Sequence, residues 1–101
     1  MDYSNYILTD KDGHEIINNT DPLHPGYIIE MEIEARGLKK TEVADLLGIR
    51  PQHLSELLHE KRHVSAILAI KLEGIFGVRA DYWLRVQSGY DLAQARKKFA
   101  A

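Results

Sequence analysis

The chain has 101 residues, 45% of them hydrophobic, no cysteine and a net charge of −2. That length suits one small domain with a single core, and the missing thiols exclude disulfides and thiolate metal sites and fit a reducing cytosol. No apolar run approaches the ~20 residues that span a bilayer, so neither membrane insertion nor export is expected and the cytoplasm is.

Two short apolar runs around Tyr6-Ile7-Leu8 and Glu15-Ile16-Ile17 flank Asp10-Lys11-Asp12-Gly13, where Gly13 supplies the positive φ of a tight turn. Residues 1–23 therefore read as an N-terminal arm, either a β-hairpin or a loosely attached segment. Asn18-Asn19-Thr20-Asp21-Pro22 reads as a loop, because turn formers lead into a proline. Beyond it the pattern is helical to the end, which makes the fold class all-α with five helices.

The first helix opens at His24-Pro25-Gly26, proline being tolerated in a first turn, and stops at Gly37. Ile29 and Ile33 mark its inner face, with Ile28 beside them. The second helix spans Lys40 to Leu47 and ends at Gly48, with Val43, Leu46 and Leu47 as its expected buried stripe. The third begins at Pro51 with Arg50 as a flanking residue whose side chain is a poor cap. Leu54, Leu57 and Leu58 form its inner stripe. At about 100° per residue, Gln52, Ser55, Glu56 and His59 fall on the opposite face, with His53 and Glu60 on a flank.

Ser65 is a good cap for the fourth helix, which carries Ile67, Leu68, Ile70, Leu72, Ile75 and Phe76 before Gly77. Gly74 inside it either weakens the helix or permits a close helix contact. Ala80-Asp81-Tyr82-Trp83-Leu84 starts the fifth, with Trp83 expected to pack on the fourth. The stretch from Tyr90 to Phe99 either continues it or forms a separate helix, Ser88-Gly89 being the expected break.

Two short helices joined through Gly48-Ile49-Arg50 make a helix-turn-helix, whose second helix is free to lie in a major groove. Gln52, His53, Ser55 and Glu56 then face base edges: Gln matches adenine, and Glu accepts from the cytosine amino group. Lys39, Lys40, Arg50, Lys61 and Arg62 stand at the helix ends as phosphate contacts. The charge distribution agrees. Residues 1–38 hold eight acids and two bases, whereas residues 39–63 hold four acids and five bases, and nucleic acid responds to the local field rather than to net charge. Pattern alone leaves open a solvated helix bundle with no specific partner.

The signatures HPG at 24–26, ARGL at 35–38, TEVA at 41–44, LL at 57–58, KR at 61–62, YWL at 82–84 and YDL at 90–92 resemble the HigA/VapI group of antitoxins within the Xre-type, phage-repressor-like helix-turn-helix family. The resemblance covers residues 24 to about 95. It implies a homodimer that binds palindromic, double-stranded operator DNA, represses its own operon and neutralises a RelE-like (HigB-type) mRNA-cleaving toxin. It places residues 24–101 in a DNA-binding domain with a C-terminal dimerisation helix, with Leu84, Tyr90 and Leu92 at the dimer seam. Its recognition positions fall on Gln52, His53, Ser55 and Glu56.

The chain departs from the family in having Lys39 and Arg50 where capping Ser or Thr is usual, and His59-Glu60 where Asn-Gly is usual. Without an easy left-handed residue, the third helix is expected to run longer or end differently.

His59 and His63 are four apart, but the helix should end between them and nothing completes a ligand set, so neither a metal nor another cofactor is expected. No nucleophile–base pair or phosphate loop points to an enzyme. The acidic first third is the expected toxin-facing surface. Two further readings stay open: a stand-alone Xre-type repressor, and a protein-binding module that has lost DNA binding.

Overall fold

The computed structural model describes residues 22–100, which form five helices: α1 (Pro25–Ala35), α2 (Lys40–Leu47), α3 (Pro51–Leu58), α4 (Ala66–Phe76) and α5 (Ala80–Ala100). The expected hairpin or arm lies outside the described residues.

The His24 imidazole is the α1 cap: Nδ1 accepts the Gly26 N–H at 2.9 Å, while Pro25 occupies the first helical position, where its missing N–H is no loss. Gly26 is required for another reason. A Cβ there would collide with the Leu57 carbonyl, so the glycine lets α1 lie directly on α3.

At the start of α2 the ammonium of Lys39 cannot accept a hydrogen bond. Glu42 Oε1 instead accepts the Lys39 N–H at 3.0 Å, which supplies half of a capping box. Both α1 and α2 end on left-handed glycines, Gly37 and Gly48, each closed by a backbone bond to the preceding turn.

The end of α3 corrects the expectation. It stops at Leu58, and Glu60 takes the left-handed position at φ 65°. The Glu60 N–H reaches the Leu57 carbonyl at 3.1 Å and the Lys61 N–H reaches the Glu56 carbonyl at 2.8 Å. That is a Schellman turn built on a residue with a Cβ, at a conformational cost of about 1 kcal/mol. The orphan carbonyls and the chain reversal toward Val64 outweigh it.

Ile29, Ile33, Leu47, Leu54, Leu57 and Leu72 are fully buried around Trp83, which stacks obliquely on Phe76 of α4. Burying such side chains supplies roughly 1.5–3 kcal/mol each. The tryptophan therefore packs as expected on α4. Leu46, expected in the buried stripe of α2, does not pack inward, and two isoleucines of α4 are equally open. Leu46, Ile67 and Ile70 are more than 60% exposed, and the inner face of α2 is completed by Ala44 instead. These helices are short and lie at the surface, so a 3.6-residue period leaves their adjacent apolar positions outside.

Gly74 meets nothing within 4 Å, so it permits no close contact and only lowers helix propensity. No break occurs at Ser88-Gly89. The helix α5 runs 21 residues through both, because Gln87 between them and the core is held on both sides, as described below. Arg36 ties α1 to α4 by donating to the Phe76 carbonyl at 2.9 Å with its guanidinium over the Phe76 ring. Among the described residues no helix is long and apolar enough to cross a membrane.

Candidate nucleic-acid interface

The turn between α2 and α3 is three residues long, and it presents the outer face of α3 to solvent. Leu54, Leu57 and Leu58 are buried beneath it. Gln52 and Ser55 are exposed, and His53 and Glu56 are half-buried. Gln52, Ser55 and Glu56 thus share the outer face, and His53 stands on its flank toward α4. His59, beyond them, turns its Nδ1 back to within 2.7 Å of the Ser55 carbonyl.

Lys39, Lys40, Arg50, Lys61 and Arg62 are all exposed around that face. Two open grooves flank α3. One lies between the start of α2 and α3, where Lys40, Thr41, Ser55 and His59 rim a floor of Pro51, Leu54 and Leu58; the other lies between α3 and the start of α4, where His53, Lys61, Arg62, His63 and Lys71 rim a floor that includes Ile49 and Leu68. Cationic side chains on both sides of a projecting helix match the two phosphate strands that border a major groove.

Among the described residues, two of the five cations pair with carboxylates. Lys40 reaches Glu30 of α1 at 3.2 Å, and Arg62 Nε donates to Glu56 Oε1 at 2.7 Å. The Arg62 hydrogen bond holds the Glu56 carboxyl below its usual range, with smaller contributions from Gln52 and His53. Glu56 is therefore ionised at neutral pH, and it carries a negative charge into a positive surface.

The loop that presents Lys61, Arg62 and His63 is anchored by residues that the sequence pattern did not single out. Gln87 of α5 is only 5% exposed. Its Oε1 accepts the Val64 N–H at 2.7 Å, and its Nε2 donates to Asp91 Oδ1 at 3.0 Å. Asp91 Oδ2 in turn lies 3.4 Å from His63 Nδ1. Lys71 Nζ donates to the Leu47 carbonyl at 3.1 Å and so satisfies the end of α2 beside Gly48. A polar residue amid an otherwise apolar register of α5 was the only available signal for Gln87.

The residues expected at a dimer seam divide. Leu84 and Leu92 are exposed, whereas the Tyr90 ring stands edge-on to His24 with centroids 4.8 Å apart. Phe99, which sequence reasoning passed over, is 92% exposed on the same helix.

The family described as Helix-turn-helix matches residues 29–83. The chain belongs to the helix-turn-helix family. It lies among the Xre-type, HigA/VapI-like antitoxins and DNA-binding regulators. Virulence-associated protein A of Dichelobacter nodosus is 41% identical over 76 residues, covering 73% of this chain and 74% of that protein. An addiction module antidote protein of the HigA family from Coxiella burnetii has a TM-score of 0.71 at 30% identity, covering 78% of this chain and 87% of that one. Antitoxin HigA of Pseudomonas aeruginosa, solved with the higBA promoter, has a TM-score of 0.71 at 31% identity over 76% of this chain and 85% of its own.

Proposed function

We propose that this helix-turn-helix protein is the antitoxin and autorepressor of a type II toxin–antitoxin module. As a homodimer it places α3 of each protomer in successive major grooves of a palindromic operator, about 34 Å apart. The observation that carries this reading is the exposed polar face of α3, held over three buried leucines and flanked by a groove lined by Lys61, Arg62 and Lys71 on one side and by Lys40 on the other. The Pseudomonas aeruginosa relative solved with a promoter supports it.

In this reading Gln52, His53, Ser55 and Glu56 read base edges, while Lys39, Lys40, Arg50, Lys61 and Arg62 meet phosphates. Residues 24–101 form the DNA-binding and dimerisation domain, in the cytoplasm. The dimer seam uses the exposed apolar positions Leu84 and Leu92 of α5, with Tyr90 beside them and Phe99 extending the same helix. A RelE-like (HigB-type) toxin is the protein partner, met by the acidic N-terminal third through opposite fields.

Gel-shift titration with DNA from upstream of the chain's own reading frame tests the first half. Binding that falls steeply with salt, and is lost in folded Arg50→Ala or Gln52→Ala protein, is the expected result. Absence of any shift leaves a protein-binding module. Co-purification of a basic protein encoded by the adjoining gene tests the second half, and its retention after deletion of residues 1–22 removes the acidic arm as its docking surface.

A further inference from the structure

The ion pair between Glu56 and Arg62 joins a candidate base reader to a candidate phosphate contact. The two residues are six apart, a spacing that never brings side chains together along a continuous helix. They meet because the turn at Glu60, with φ 65°, and the Lys61 N–H bond to the Glu56 carbonyl at 2.8 Å reverse the chain. The loop that leaves α3 thus returns Arg62 over the reading face. Lys39, Arg50 and Lys61 show no such bond to a carboxylate of the reading face, and Lys40 pairs with α1 instead.

Resting on the DNA-binding reading above, we propose that this pair is a specificity latch. In the free protein Glu56 holds Arg62 away from the phosphate backbone. Arg62 transfers to a phosphate only where a cytosine amino group replaces it on the carboxylate. The exchange balances: the carboxylate gives up one N–H donor and gains another, and the guanidinium gives up one anion and gains another. At a position with no amino group, either the carboxylate stands unpaired beside phosphates or the protein forgoes one phosphate contact. Adenine also carries an amino group, but its neighbouring N7 lone pair repels the second carboxylate oxygen, so cytosine is the preferred partner.

Solvent exposure makes the exchange feasible. The Arg62 and Glu56 side chains are 48% and 34% exposed, and pairs this accessible contribute little net stability and release readily. The geometry thereby couples base readout to backbone affinity through two side chains, and Glu56 becomes a residue that suppresses binding to unrelated sequence.

The test is a salt series of binding titrations with two duplexes, the chain's own upstream DNA and a scrambled duplex of equal length. Wild type, Glu56→Gln, Arg62→Ala and the double variant are compared, each verified as folded by its thermal transition. Glu56→Gln is expected to bind the scrambled duplex several-fold more tightly. The slope of log K against log salt should steepen by about 1, for one added phosphate contact. Preference for the upstream DNA should fall roughly tenfold. In the Arg62→Ala background these gains should vanish.

If Glu56→Gln still tightens scrambled binding when Arg62 is absent, only a negative charge has been removed and the latch is overturned. An unchanged preference in Glu56→Gln overturns it as well, with DNA binding intact. Failure of wild type to bind either duplex overturns the DNA-binding reading itself and the latch with it, a result plainly different from the other two.

Discussion

On α3 the polar side chains Gln52, Ser55 and Glu56 lie on the outer face, and the bond that Arg62 donates to Glu56 is open to solvent. On α5 the amide of Gln87 is buried and bonds the Val64 N–H on one side and Asp91 on the other. The same chemistry has two consequences. A buried amide cannot change partners without leaving a donor unsatisfied, so it fixes the loop that carries Lys61 and Arg62. An exposed ion pair exchanges its partner for water or a ligand at little cost. Rigidity behind the reading helix and exchangeability on its surface are both needed if a small domain is to dock in one register and still respond to the base it meets.

The core that both regions share gives the largest expected effect. Trp83→Ala should destabilise by about 3–5 kcal/mol and abolish the rigid seat of α3, measured as a large loss of denaturation midpoint in urea. Next, Gly26→Ala drives a methyl group into the Leu57 carbonyl and should cost about 1–3 kcal/mol by forcing α1 off α3. A midpoint unchanged from wild type would mean that α1 does not pack this tightly.

The comparison itself is broken by Gln87→Leu, which leaves the Val64 N–H buried and unpaired at an expected cost of about 1–3 kcal/mol. Amide exchange at Val64 should accelerate more than at Leu54 in the core. Equal acceleration at both positions would assign Gln87 to general packing rather than to the loop.

Acid should act on the buried cap. Burial lowers the His24 pKa from its ordinary value, so the unfolded chain takes up a proton that the folded one resists. Stability is complete above about pH 6.5 and declines as the pH falls from there toward the lowered folded value. His24→Asn keeps a capping oxygen without titrating, and it should flatten this part of the profile in thermal unfolding followed against pH. The smallest effect is a gain: Glu60→Gly relieves the left-handed strain and should stabilise by up to about 1 kcal/mol. It also tests whether the turn that returns Arg62 to Glu56 is strained.

Helix starts and stops were legible because their causes are local. Pro25, Pro51, Ser65, Gly48 and Gly77 act through their own φ or their own hydrogen bonds, and each stands at the boundary its residue type predicts. The outward face of α3 was legible too, since three leucines on one side leave Gln52, Ser55 and Glu56 on the other. The exposure of Leu46 overturns its expected place in the buried stripe, because periodicity says which residues share a face but not how far the neighbouring helix extends over it. Of the two readings of α5, continuation through Gly89 is the one observed, and for a similar reason: propensity is worth about 1 kcal/mol, less than the packing and side-chain bonds that hold the helix on either side.

The sequence by itself therefore determined the five-helix order, the helix-turn-helix and the candidate reading residues, because each rests on spacing within about a dozen positions. Tertiary structure alone decided that Gln87 anchors Val64 across 23 residues, that Glu60 accepts a left-handed conformation, and that Arg62 comes to rest on Glu56. Those outcomes depend on free energies summed over several helices, and no local pattern records that sum.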